Sequence, residues 1–138
     1  MATQTTAAPR TTTFTQVAIA LQTLTLFAQA VSAGLLLSTS YGKTVHGVGA
    51  RVMYGATMLY VLAAILAWRR GGGGSPRPIL YASGFLVLAS VQVVLGIAHQ
   101  PALHVPLGVL MFGLSVLDLG RVLFSTIGGG GGRQQRTA

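Results

Sequence analysis

Three histidines and one aspartate are the residues in this 138-residue chain whose chemistry stands apart from its surroundings: His46, His99, His104 and Asp118. Imidazoles ligate metals and move protons near neutral pH. Cysteine is absent, so thiolate ligands, disulfides and redox thiols are excluded. The chain offers no nucleophile beside a base, no pair of carboxylates, and no phosphate loop. Its glycine runs at 71–74 and 128–132 lack the Lys-Ser/Thr ending such a loop needs and read as linkers. Substrate-transforming chemistry therefore finds no support, and the expectation is a protein that is not an enzyme.

The segments that must position the histidines are long and apolar. The chain is 51% hydrophobic and only 7% charged, far below the roughly one quarter of charged residues in a soluble domain. Four apolar runs, at 14–38, 45–68, 79–98 and 103–127, each reach the roughly 20 residues that cross a bilayer as a helix. Backbone in lipid must satisfy its own hydrogen bonds, so helices are required. The expected fold is all-α, an antiparallel four-helix transmembrane bundle whose partner is the lipid bilayer. Residues 1–13 are expected to be a disordered cytoplasmic N-terminus and 128–138 a disordered cytoplasmic tail. A cleaved signal peptide over residues 1–33 is the rival for the first run. The apolar stretch through Leu35-Leu36-Leu37 is long for a signal and speaks against it.

Net charge is +8. The cations are scattered singly or in pairs and build no basic face, so nucleic acid is not expected as a partner. Arg10, Arg69, Arg70, Arg77, Arg133 and Arg136 lie before the first run, between the second and third, or after the fourth. The other side carries Lys43 and Arg51. The positive-inside rule then places both termini in the cytoplasm, as for a multi-pass protein of the plasma membrane, with all three histidines at the outer ends of their helices.

The halves resemble each other. With His46 on His104, Met53-Tyr54-Gly55 falls on Met111-Phe112-Gly113. In the preceding runs Ala28-Gln29-Ala30-Val31 falls on Val91-Gln92-Val93-Val94. Two pseudo-repeated helical hairpins of this kind are parallel repeats about an axis along the membrane normal. His46 and His104 then face each other at equal depth. Two imidazole nitrogens about 4 Å apart hold one metal ion between them, and haem iron in a bundle core takes axial histidines in this way. Haem b is accordingly the cofactor the pair suggests, with Lys43 or Arg51 placed to pair with a propionate. Two solvated histidines near the interface remain the plain alternative. With His99 as a third ligand, bare zinc or copper is a further option.

Asp118 lies fourteen residues beyond His104, roughly 21 Å along a helix, and Arg121 is spaced to pair with it on the same face. Gln22, Gln29 and Gln92 are amides expected to hydrogen-bond across helices, or to a bound ligand.

The stretch Gln92-Val93-Val94-Leu95-Gly96, Ala102-Leu103-His104 and Leu107-Gly108-Val109-Leu110-Met111-Phe112-Gly113 resembles half of a heme A synthase, as does a histidine opening the second run. The chain is also similar to small bacterial four-span proteins that look like single halves. The resemblance implies a four-helix unit with His46 and His104 as its histidine pair. It departs from the synthase in having one half only, in lacking the outer-loop cysteines, and in carrying Lys43 where the catalytic half has a glutamate. Heme A synthesis is therefore not expected, whereas haem binding or electron transfer is. A homodimer would rebuild the two-half arrangement. The competing functions are a cofactor-free accessory subunit of a larger membrane complex and a small transporter, the latter weakened by the near absence of acids.

Overall fold

The computed structural model describes residues 13–71 and 74–128, with side chains to 124. They form four helices, α1 (Phe14–Ser38), α2 (Gly42–Arg70), α3 (Arg77–Ile97) and α4 (Pro101–Gly128), and the described residues contain no strand. Each helix is long and apolar enough to cross a membrane. The chain is a multi-pass integral membrane protein. The expected tails at 1–12 and 129–138, and Gly72 and Gly73 of the first glycine run, lie outside the described residues.

Thr13 does not belong to a tail. Its hydroxyl accepts from the Gln16 amide at 3.3 Å while its own amide donates to the Gln16 side chain at 2.7 Å, a capping box that satisfies two free amides at the start of α1. The connection between α1 and α2 is shorter than the gap between the first two apolar runs, 39–44, because Gly42 is already the first residue of α2. There its backbone lies against the Leu35 carbonyl and the Leu36 Cα, where a Cβ has no room. At the far end of α2 the Gly71 amide donates to the Ala67 carbonyl at 2.9 Å. The Trp68 indole donates to the Gly74 carbonyl at 2.7 Å, so the tryptophan pins the loop.

Between α3 and α4 the chain turns through His99, which has φ 52°, a left-handed conformation. The amides of His99 and Gln100 donate back to Gly96 and Leu95, the paired bonds that end a helix on a left-handed residue, usually glycine. The Gln100 carbonyl then accepts the amides of Leu103 and His104, and α4 starts at once. A histidine there is strained, so His99→Gly should raise stability by about 1 kcal/mol, read as a higher unfolding midpoint in detergent. His99→Ala keeps the strain and should give no such gain; equal midpoints for the two variants would contradict this account.

The helices pack in ring order, α1 on α2, α2 on α3, α3 on α4 and α4 on α1. The diagonals are therefore α1 with α3 and α2 with α4. The α1–α2 hairpin is the most closely packed pair and α3–α4 the loosest. Toward the termini, Ala18, Ile19, Tyr60, Ala63, Ala64 and Ala82 form one buried cluster. Its alanines let the helix backbones approach, the usual basis of helix association in lipid. Nearer the middle, Leu26, Met53, Phe85, Ala89 and Met111 form a second. Large apolar residues such as Leu24, Leu37, Val87 and Phe124 face outward, as expected where the surrounding solvent is hydrocarbon.

The internal repeat is visible in this packing. On α2, Met53 and Thr57 are buried; on α4, Met111 and Ser115, 58 positions later, are buried too. At the next step of the same register Tyr60 donates its hydroxyl to Asp118 at 2.6 Å. On α1 and α3 the buried Ile19, Gln22 and Leu26 correspond to the buried Ala82, Phe85 and Ala89, 63 positions later.

Candidate functional site

A cavity of about 870 Å³ opens at the end of the bundle opposite the termini and is lined from all four helices. It falls within the range of roughly 300–1,000 Å³ typical of ligand pockets. Its two walls are repeat-related. Gln29, Ala30, Ala33 and Leu36 line it from α1, while Gln92, Val93, Gly96 and His99 line it from α3 and the following turn. On the other diagonal His46, Gly47 and Ala50 are matched by His104, Val105 and Gly108. Leu26, Met53 and Phe112 reach it from below. Apart from Lys43, the histidines and two amides, the lining is apolar or glycine.

His46 and His104 meet across this cavity, with ring centroids 6.2 Å apart and ring planes at 68°. Two metal–imidazole bonds of about 2 Å each, with about 1.1 Å from nitrogen to ring centre on either side, give roughly 6.2 Å for imidazoles sharing one ion in a straight line. The observed ring separation is compatible with that distance.

Each ring is held by its other nitrogen. His104 Nδ1 lies 3.0 Å from the Gln92 carbonyl oxygen. A carbonyl only accepts, so Nδ1 carries the proton and Nε2 keeps a free lone pair. His46 Nδ1 lies 2.9 Å from the Ser32 hydroxyl, which donates to the Gln29 carbonyl at 3.0 Å. When the hydroxyl's single proton goes to that carbonyl, the hydroxyl accepts from Nδ1 and His46 has the same tautomer as His104. Gln29 and Gln92 are the amides that the repeat aligns, so both imidazoles rest on equivalent carbonyls, one directly and one through a hydroxyl. Outer hydrogen bonds of this kind orient metal-ligating histidines and raise their basicity.

The glycines make room. A Cβ on Gly96 would stand 3.4 Å from His104 Cε1, and one on Gly108 would stand 2.8 Å from Gln92 Nε2. On the other side Gly49 lies against the Gln29 amide. The expected amide bonds across helices are not made. Gln29 Nε2, Gln92 Oε1 and both polar atoms of Gln22 are buried without a hydrogen-bond partner. Buried polar atoms in that condition are rare and costly. Two of the three amides line the cavity, where a ligand would meet them.

Lys43 lines the cavity as well. Arg51 does not; it is exposed on another face of α2, away from the pair. His99 lines the cavity, yet no group of three or more His, Cys, Asp or Glu able to hold a metal ion forms among the described residues. A three-histidine zinc or copper site is thus not assembled. Asp118 has the Tyr60 hydroxyl as its hydrogen-bond partner, across the α2–α4 diagonal, rather than Arg121. Ser32 escaped the sequence reading. Its only signal was a hydroxyl one helical turn beyond Gln29.

No family model, curated protein or solved structure matches the chain. The reading of the site rests on its own geometry.

Proposed function

We propose that this membrane protein binds haem b between His46 and His104. The observation that carries the reading is the 6.2 Å ring separation together with outer hydrogen bonds that leave Nε2 of each ring free. A metal held by two protein ligands takes the rest of its coordination from elsewhere, and the macrocycle of haem supplies it. The chamber suits a flat apolar group: small residues where its edges would pass, apolar walls that exclude water, and amide atoms of Gln29 and Gln92 lacking partners. Lys43 at the rim pairs with an acidic substituent. Bound haem supplies one-electron transfer. The chain's own residues hold the ligand nitrogens in one tautomer, orient them and keep the pocket dry. The resemblance to a heme A synthase half agrees with binding, and Lys43 in place of its glutamate speaks against synthesis.

The test is the visible spectrum of protein purified in detergent after expression with haem precursor supplied. The expected result is a Soret band and, on reduction, a sharp α-band from six-coordinate low-spin haem. A colourless preparation that also fails to take up added haem removes this reading and leaves the cofactor-free accessory role.

A further inference from the structure

A second concavity lies at the opposite end of the bundle, on the loose α3–α4 seam. It encloses about 220 Å³. Its walls change character along its length. Phe85, Leu88 and Leu114 line it toward the bundle centre, while Tyr81, Asp118 and Arg121 line it toward the termini. Gly84 forms part of its floor and has nothing within 4 Å of where a Cβ would stand. Its three polar side chains therefore all lie at the end toward the surface, with Leu80 and Leu117 beside them, and the end toward the bundle centre is wholly apolar, the order a phospholipid has from headgroup to chain.

The polar end is charged in a specific pattern. Asp118 is the single acid of the whole chain. An ionisable residue in a span is costly and tends to be functional. Tyr60 donates to one carboxylate oxygen, Oδ2, a neutral partner that leaves the charge in place. Arg121 stands one turn further along α4, where helical spacing permits an ion pair. The structure instead leaves both side chains on the groove, with Asp118 bonded to the phenol. A negative and a positive group side by side above an apolar slot complement a zwitterionic headgroup.

We propose that this groove binds one aminophospholipid, phosphatidylethanolamine in headgroup chemistry. Its phosphate meets Arg121, its primary ammonium meets Asp118, and one acyl chain lies over Gly84 between Phe85 and Leu114. The ammonium matters because its N–H groups make charge-assisted hydrogen bonds to a carboxylate, which a trimethylated amine cannot make. The leaflet is the one on the arginine-rich side of the protein. The site is independent of the histidine pair.

The experiment presents purified full-length protein in detergent with equal amounts of phosphatidylethanolamine and phosphatidylcholine of identical acyl chains, and counts retained lipids by native mass spectrometry. Wild type should retain the ethanolamine lipid about fivefold over the choline lipid, the ratio that about 1 kcal/mol gives. Asp118→Asn should abolish that preference, and Arg121→Gln should lower retention of both lipids. Gly84→Leu, which fills the slot without touching either charge, should abolish retention. Equal retention of the two lipids by wild type overturns the proposal, and that comparison needs no variant. Unchanged retention in Gly84→Leu also overturns it, as does a dimer that forms when lipid is stripped and is abolished by Gly84→Leu, since a second copy is then the occupant. Absorbance at the histidine site reports separately on the haem reading.

Discussion

Alanine at His46 or at His104 should weaken haem binding by at least about a hundredfold, beyond the 10–100-fold usual for loss of a ligand's outer-shell partner. Either single variant should also lose the six-coordinate low-spin spectrum, because one imidazole cannot supply both axial bonds. The pair sits in repeat-equivalent positions at a separation of 6.2 Å; His99 also lines the cavity but forms no group of three with them among the described residues. Ser32→Ala should be milder, about tenfold. It removes the hydroxyl that links His46 to the Gln29 carbonyl and frees the ring to turn, while leaving its nitrogen available. Haem titration of the three purified variants, read at the Soret band, orders them. If Ser32→Ala proves as severe as His46→Ala, the hydroxyl does more than orient. If both histidine variants keep a wild-type spectrum, the ligands lie elsewhere.

The placement of the histidines at one end of the bundle was legible because it depends only on where the apolar runs begin and end. The pairing of the two was legible through the repeat, since a register that holds for His46 and His104 holds further along. The same register names Tyr60 as the counterpart of Asp118, a contact that local spacing on α4 assigned to Arg121. Lys43 and Arg51 were separable in principle. At 100° per residue Lys43 lies about 60° from His46 around α2 and Arg51 about 140°, and only Lys43 reaches the cavity. The glutamines show what spacing cannot supply. Pairing Gln29 with Gln92 would require α1 and α3 to touch, and in the observed ring order those helices are diagonal. The Ser32 bond to His46 depends on how α1 is rotated against α2, a matter of packing that no periodicity along either helix encodes.

α2 approaches the α1 backbone most closely at Gly42, so the second large effect is expected there. Gly42→Ala should destabilise the fold by about 3 kcal/mol, the upper end of what overpacking costs. The added Cβ would fall on the Leu35 carbonyl and the Leu36 Cα. These are backbone atoms, and the Leu35 oxygen already accepts the Thr39 amide at 2.9 Å and the Thr39 hydroxyl. No rotamer change relieves such a contact; the ends of α1 and α2 must separate. Separation there strikes the best-packed pair of helices and moves His46, four positions along α2 from Gly42, away from Ser32. Haem binding should fall together with stability. Gly55→Ala is the control, because a Cβ there meets nothing within 4 Å. It should be neutral or stabilise by up to about 1 kcal/mol, the ordinary difference between alanine and glycine in a helix. Unfolding by titration with a denaturing detergent, followed by circular dichroism, compares the two. Equal stability of Gly42→Ala and Gly55→Ala would mean that the hairpin has slack the close approach denies. The hydrogen bond from His46 to Ser32 would then need another cause.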